Sequence, residues 1–105
     1  VSAGWIYLSI AILFEVAATS ALKASDGMSR LTPTILALVG YGIAFFCLAR
    51  AMREVPLGVA YAVWSGVGIV ALVVIDYLFY SKGFDIRETI GIAMVLAGVL
   101  VIYSA

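Results

Sequence analysis

Four apolar stretches, each long enough to cross a bilayer, are separated by three short polar ones, and this alternation leaves the chain few ways to fold. The hydrocarbon core of a membrane is about 30 Å thick, which an α-helix spans with about 20 residues at 1.5 Å each. Reading the apolar runs on that scale predicts helices over residues 3–22, 32–51, 57–80 and 89–105. The first polar stretch runs from Lys23 to Arg30, with Gly27 as its turn residue. Pro33 falls in the first turn of the second helix, where its missing N–H costs nothing. Arg50, Arg53 and Glu54 form a short polar edge before Pro56 and Gly58. Residues 82–88 make the third loop. The expected fold is a single all-α transmembrane domain with four transmembrane helices per chain. These spans use nearly all of the 105 residues, so no soluble domain doing chemistry in water is expected.

Composition excludes several classes of function. The chain is 66% hydrophobic and 11% charged, with mean hydropathy +1.22. A soluble domain runs about 45–50% apolar and about 25% charged, and a core this small cannot hide the excess. The net charge is zero and the basic residues stand singly, so there is no footprint for nucleic acid. With no histidine, neither a histidine-based triad nor the usual histidine-bearing metal site can be assembled. Cys47, alone and mid-helix between Phe46 and Leu48, reads as a small packing residue. No catalytic residues, resident cofactor or metal are expected, and nothing supports an enzyme. The first apolar run reads as a true span, because no basic segment precedes it and Glu15 interrupts it.

Glu15 is the feature that points to function. It lies mid-span, and Lys23, eight positions on, is the nearest basic residue in the sequence. A charged side chain at the centre of a membrane helix costs about 2.5–3.5 kcal/mol on insertion scales, so its presence needs a reason. One reason is a bond that glues two helices together. The other is a binding site for a proton or a cation, favoured by the absence of any intramembrane Lys, Arg or His to act as a fixed partner. Ala11, Ile12, Ala18, Thr19 and Leu22 share its helix face at spacings of three, four and seven. The small residues Ala11 and Ala18 leave room for a ligand or, equally, allow close helix packing.

The third helix supplies aromatic rings. Tyr61 and Trp64 are three residues apart and share a face. Two rings and a carboxylate suit a lipophilic cation, through cation–π attraction and a counter-charge in low dielectric; an interfacial aromatic belt is the other reading for Tyr61. Gly66 and Gly68 suggest a bend, hence a hinge. Tyr41, in the second helix, has a hydroxyl able to reach a carboxylate or simply fills space. Asp76 lies four residues before Tyr80, shallow enough to meet water or headgroups; a second protonatable group on a pathway is the alternative.

Four thin helices leave no wall on the far side of Glu15, and transporters meet that need with inverted repeats joined at the midplane. No duplicated half is visible here, so the second half must be a second copy. Lys23, Arg30, Lys82 and Arg87 lie on one side of the membrane, against Arg50, Arg53 and the α-amino group on the other. That bias is too weak to fix one orientation, and opposed copies make an antiparallel, dual-topology dimer. Gly91 and Gly98, seven apart in the fourth helix, read as its seam or as packing within one subunit.

Over essentially the whole chain the sequence resembles the small multidrug resistance family of bacterial four-helix exporters. The matching residues are Glu15-Val16, Leu22-Lys23, Gly27 and Arg30-Leu31-Thr32-Pro33, then Pro56, Gly58, Ala60-Tyr61-Ala62, Trp64-Ser65-Gly66-Val67-Gly68 and the Gly91 to Gly98 spacing. The resemblance implies an antiparallel homodimer in the bacterial inner membrane, embedded in the lipid bilayer, that exchanges protons for small hydrophobic cations. It implies that Glu15 is the shared proton and substrate site, with Tyr41, Tyr61 and Trp64 near the substrate and Thr19 and Ser65 as polar positions around them. Guanidinium exporters of the family typically carry Trp at the position of Ala18 and lack Tyr at Tyr41, so this chain looks like the quaternary ammonium, multidrug type. Asp76 stands where a small or hydroxylic residue is expected. Some members pair with a paralogue, so a heterodimer is the alternative to a homodimer. Guanidinium export, or a non-transporting assembly subunit, is the alternative function.

Overall fold

The computed structural model describes residues 2–80, 83 and 85–104. Its four helices are α1 (Ala3–Ala24), α2 (Leu31–Ala51), α3 (Leu57–Phe79) and α4 (Ile86–Ser104). All four are long and apolar enough to cross a membrane. Lys82, Ala105 and the α-amino group of Val1, counted above, lie outside the described residues. The sequence-based start of the fourth helix is three residues late. Asp85 caps α4, its Oδ1 accepting from the Arg87 backbone N–H at 2.9 Å, so the charged turn 86–88 is already helical.

Lipid is as apolar as a protein core, so helices in a membrane are held by close backbone approach rather than by an oily stripe. In α1 the small residues Gly4, Ala11 and Ala18 recur every seven positions and are buried. In α2 Ala37, Ala44 and Ala51 do the same, with Gly40 and Cys47 between them. These rows form the α1–α2 seam. A methyl built on Gly40 would stand 2.9 Å from the Ala18 Cβ, and one on Gly4 would stand 2.9 Å from the Glu54 Cβ. Glu54 also caps α1, its Oε2 accepting from the Gly4 backbone N–H at 3.3 Å.

The third helix crosses α1 around Glu15 and carries α4 on its other side. Val99 and Val95 of α4 sit over Gly66, where an added Cβ would meet Val99 Cγ2 at 2.5 Å and Val95 Cγ1 at 3.3 Å. Trp5 and Tyr103 close the far end edge to face, with centroids 4.8 Å apart. The backbone occupies a slab of 40 × 34 × 18 Å. Within it Val99 is the one buried residue among those described on α4. Gly91 and Gly98 face open space, with nothing within 4 Å of an added Cβ. Among the described residues nothing packs against these two glycines, and they lie on an exposed face of α4.

Loop one turns on more than glycine. Asp26, Gly27 and Met28 all adopt positive φ, at 52°, 70° and 69°. The fully buried Ser25 makes this conformation hold: its Oγ donates to the Leu22 carbonyl at 2.6 Å and accepts from the Met28 N–H at 2.9 Å. Removing that hydroxyl takes away two hydrogen bonds, although the Leu22 carbonyl keeps the Ser25 backbone N–H at 3.2 Å; each bond is worth about 0.5–1.5 kcal/mol. Ser25→Ala is expected to lower the thermal unfolding temperature measurably, read by circular dichroism in lipid; an unchanged melt would mean that water replaces the hydroxyl there.

Candidate functional site

Glu15 leaves the seam side of α1 and points toward α3. Gly68 is what lets it in: a Cβ there would lie 3.1 Å from Glu15 Oε2. The acid is half-buried and holds one defined bond, Oε1 accepting from Thr19 Oγ1 at 3.1 Å. Thr19 Oγ1 is also 2.6 Å from Tyr41 Oη. A threonine hydroxyl has one proton, and here it goes to Glu15, so Tyr41 donates to Thr19. The result is a relay, Tyr41 to Thr19 to Glu15, that fixes one carboxylate oxygen and leaves the other free.

That other oxygen, Oε2, is buried against Gly68, and Glu15 lines a cavity beside it. Glu15, Tyr61, Trp64, Ser65, Gly68, Ile69 and Leu72 enclose about 220 Å³. Among the described residues the buried side-chain polar atoms without a partner are Glu15 Oε2 and Trp64 Nε1, and both residues line this space. Buried polar groups are nearly always paired. A carboxyl oxygen and an indole N–H, both buried without a partner on residues of one apolar pocket, mark the candidate binding site.

The aromatic wall is longer than the two rings named from the sequence. Tyr61 and Trp64 meet at 5.6 Å between centroids, Trp64 and Phe45 at 5.9 Å, and Phe45 and Tyr41 stack at 6.4 Å. Phe45 links two helices through this wall, and its only signal in the sequence was a spacing of four from Tyr41.

Thus Glu15, Thr19, Tyr41, Tyr61, Trp64 and Ser65 are brought together. Ala11 and Ala18 are not on the cavity: exposed by 0% and 1%, they belong to the helix core, and Ala18 abuts Gly40. Of the two readings open for them, close packing is the one realised. Helix α3 runs unbroken through Gly66 and Gly68, and each glycine serves a close approach, to Val99 and to Glu15 respectively. Asp76 has a partner that the sequence did not suggest. Its Oδ1 lies 3.4 Å from Lys23 Nζ, with side chains 36% and 55% exposed. No group of three or more metal-ligating side chains occurs among the described residues.

Comparison with known proteins agrees with this architecture. The profile of the Small Multidrug Resistance protein family matches residues 3–95. The chain belongs to the small multidrug resistance family. It is 44% identical over 99 residues to the quaternary ammonium compound-resistance protein QacE of Escherichia coli, covering 94% of this chain and 90% of QacE. It is 41% identical over 100 residues to the multidrug resistance protein EbrA of Bacillus licheniformis, covering 95% of each. A putative ethidium bromide resistance protein of Salmonella typhimurium is 44% identical over 101 residues, 96% of this chain and 88% of that protein. With four spans and bacterial relatives of this kind, this small multidrug resistance protein is a multi-pass protein of a bacterial membrane.

Proposed function

We propose that this protein exports lipophilic monocations, quaternary ammonium compounds above all, in exchange for protons, with Glu15 as the site that both compete for. The names of its relatives, which refer to quaternary ammonium and ethidium resistance, support the substrate class. The observation that carries the reading is the unspent Glu15 Oε2 in an aromatic cavity whose lining includes no positive group. An ionised carboxylate there is tolerated only when neutralised, by a proton or by an organic cation held against the rings. One therefore displaces the other. A proton arriving from outside releases the cation outward, and its loss to the cytoplasm readies the site again.

The working unit is an antiparallel homodimer. A cavity of about 220 Å³ is small beside the roughly 300–1,000 Å³ of sites for drug-sized ligands. A second, inverted copy facing Glu15 enlarges it and supplies the missing wall. The open faces of Gly91 and Gly98 offer the seam, and a paralogue presenting the same face would serve as a heterodimer partner. Guanidinium export is less well supported: the relatives' names refer to quaternary ammonium and ethidium resistance, and Ala18 and Tyr41 look like the multidrug type.

The test is transport. Proteoliposomes loaded at acid pH and diluted into alkaline buffer should accumulate a quaternary ammonium dye above its equilibrium level. Accumulation should collapse on adding a protonophore. Larger electrogenic currents with guanidinium than with a tetraalkylammonium ion would overturn the substrate assignment, and dye uptake indifferent to the pH gradient would overturn the exchange.

A further inference from the structure

The Lys23–Asp76 pair lies outside the Glu15 cavity. It belongs to two facing ladders of residues four apart, Glu15, Thr19 and Lys23 on α1 and Gly68, Leu72, Asp76 and Tyr80 on α3 or at its end. At the inner rung Gly68 receives Glu15, and at the outer rung Asp76 receives Lys23. Eight residues of helix put these rungs about 12 Å apart along α1. A second cavity of about 250 Å³ surrounds the outer rung, with Thr19, Lys23, Leu72, Ile75, Asp76 and Tyr80 in its wall. Leu72 lines both cavities, and Thr19, which donates to Glu15, lines the outer one.

Lys23 Nζ stands 3.4 Å from Asp76 Oδ1 and 4.0 Å from the centre of the Tyr80 ring. An ammonium between a carboxylate and an aromatic face is in the setting that recognises an organic cation. Here the cation is tethered to the protein. We propose that the outer cavity is a second binding site for organic monocations of the quaternary ammonium class, with Lys23 as its displaceable occupant. The proposal rests on the reading that the Glu15 cavity takes such cations, and it adds a position where one is held on its way in or out.

Displacement is favourable for physical reasons. The resident pair is exposed, and exposed ion pairs hold weakly because water competes for both partners. A cation with alkyl substituents also buries them against Leu72 and Ile75, contacts that a bare ammonium does not make. Asp76 faces one positive charge before the exchange and one after it, so no proton need move. The freed Lys23, at the end of α1, extends into the headgroup layer, where lipid phosphates receive it.

The experiment measures equilibrium binding of radiolabelled tetrapropylammonium in lipid nanodiscs, with Glu15→Gln as background to silence the inner site. Adding Lys23→Met should create one further equivalent per chain, bound at least tenfold more tightly than in Glu15→Gln alone. Lys23→Arg, which keeps a tethered cation, should give no gain, and Asp76→Asn should erase the gain from Lys23→Met. A Lys23→Met variant without gain, or a gain that survives Asp76→Asn, overturns the proposal. In the wild-type protein, saturating tetrapropylammonium should speed acylation of Lys23 at least threefold, read by mass spectrometry; an unchanged or slower rate also overturns it. The inner-site reading fails separately, if wild type and Glu15→Gln bind the ion equally.

Discussion

Glu15→Gln is expected to reduce pH-driven accumulation of a quaternary ammonium dye to the leak of protein-free liposomes. The amide keeps the shape of the acid, so Thr19 still has an oxygen to donate to and Gly68 still accommodates the head group. Under the proposed exchange, what disappears is the charge, and with it both the attraction for a cation and the proton that the cation displaces. In an apolar cavity a counter-charge is worth far more than in water. A loss of at least a hundredfold in cation affinity, about 2.7 kcal/mol, is the expected scale. The folded protein should survive, because the α1–α2 seam lies on a different face of α1. If Glu15 were a structural tie instead, as in an assembly subunit, the same change would cause loss of folded protein with no selective loss of binding.

Gly68→Val should be nearly as damaging to function, for a reason that has nothing to do with charge. A Cβ at this position already stands 3.1 Å from Glu15 Oε2, and the added valine methyls project further into the space the carboxylate occupies. The acid is pushed out of register with the rings of Tyr61 and Trp64, and the cavity is partly filled. Cation affinity should fall at least tenfold, about 1.4 kcal/mol, while helix content and expression stay near wild type. Gly66→Val is the contrasting change, since its Cβ would lie 2.5 Å from Val99 Cγ2 and so unseats α4. That variant should lose thermal stability first. Equal behaviour of the two in a melting experiment, with cation binding intact in Gly68→Val, would show that Gly68 does not serve the carboxylate.

These contrasts mark what the sequence made legible. The helices were plain from the lengths of the apolar runs, and Glu15, Tyr61 and Trp64 stood out as residues whose chemistry a membrane does not need. Which face of each helix is buried was not legible. A helix that is apolar all round carries no stripe, so periodicity is silent, and the seam lies in the sevenfold recurrence of Gly4, Ala11 and Ala18 against Ala37, Ala44 and Ala51. Ala11 and Ala18 were therefore open to two readings until the α1–α2 packing separated them. Gly66 and Gly68 suggested a bend because glycine weakens a helix, yet each is matched to a partner from another element. The Lys23–Asp76 pair joins residues 53 apart in the chain, beyond the reach of any local pattern. Ser25 carries no signal in the sequence that sets it apart from its loop neighbours, yet its hydroxyl organises three consecutive left-handed residues.

If a cation and a proton exclude one another at Glu15, binding of one must release the other, and the released protons can be counted. Purified protein in weakly buffered lipid nanodiscs, titrated with a quaternary ammonium ion over a series of pH values, should release protons in proportion to the ion bound at one or more of them, and Glu15→Gln should release none at any. Tight cation binding with no release of protons from the wild-type protein would contradict the account.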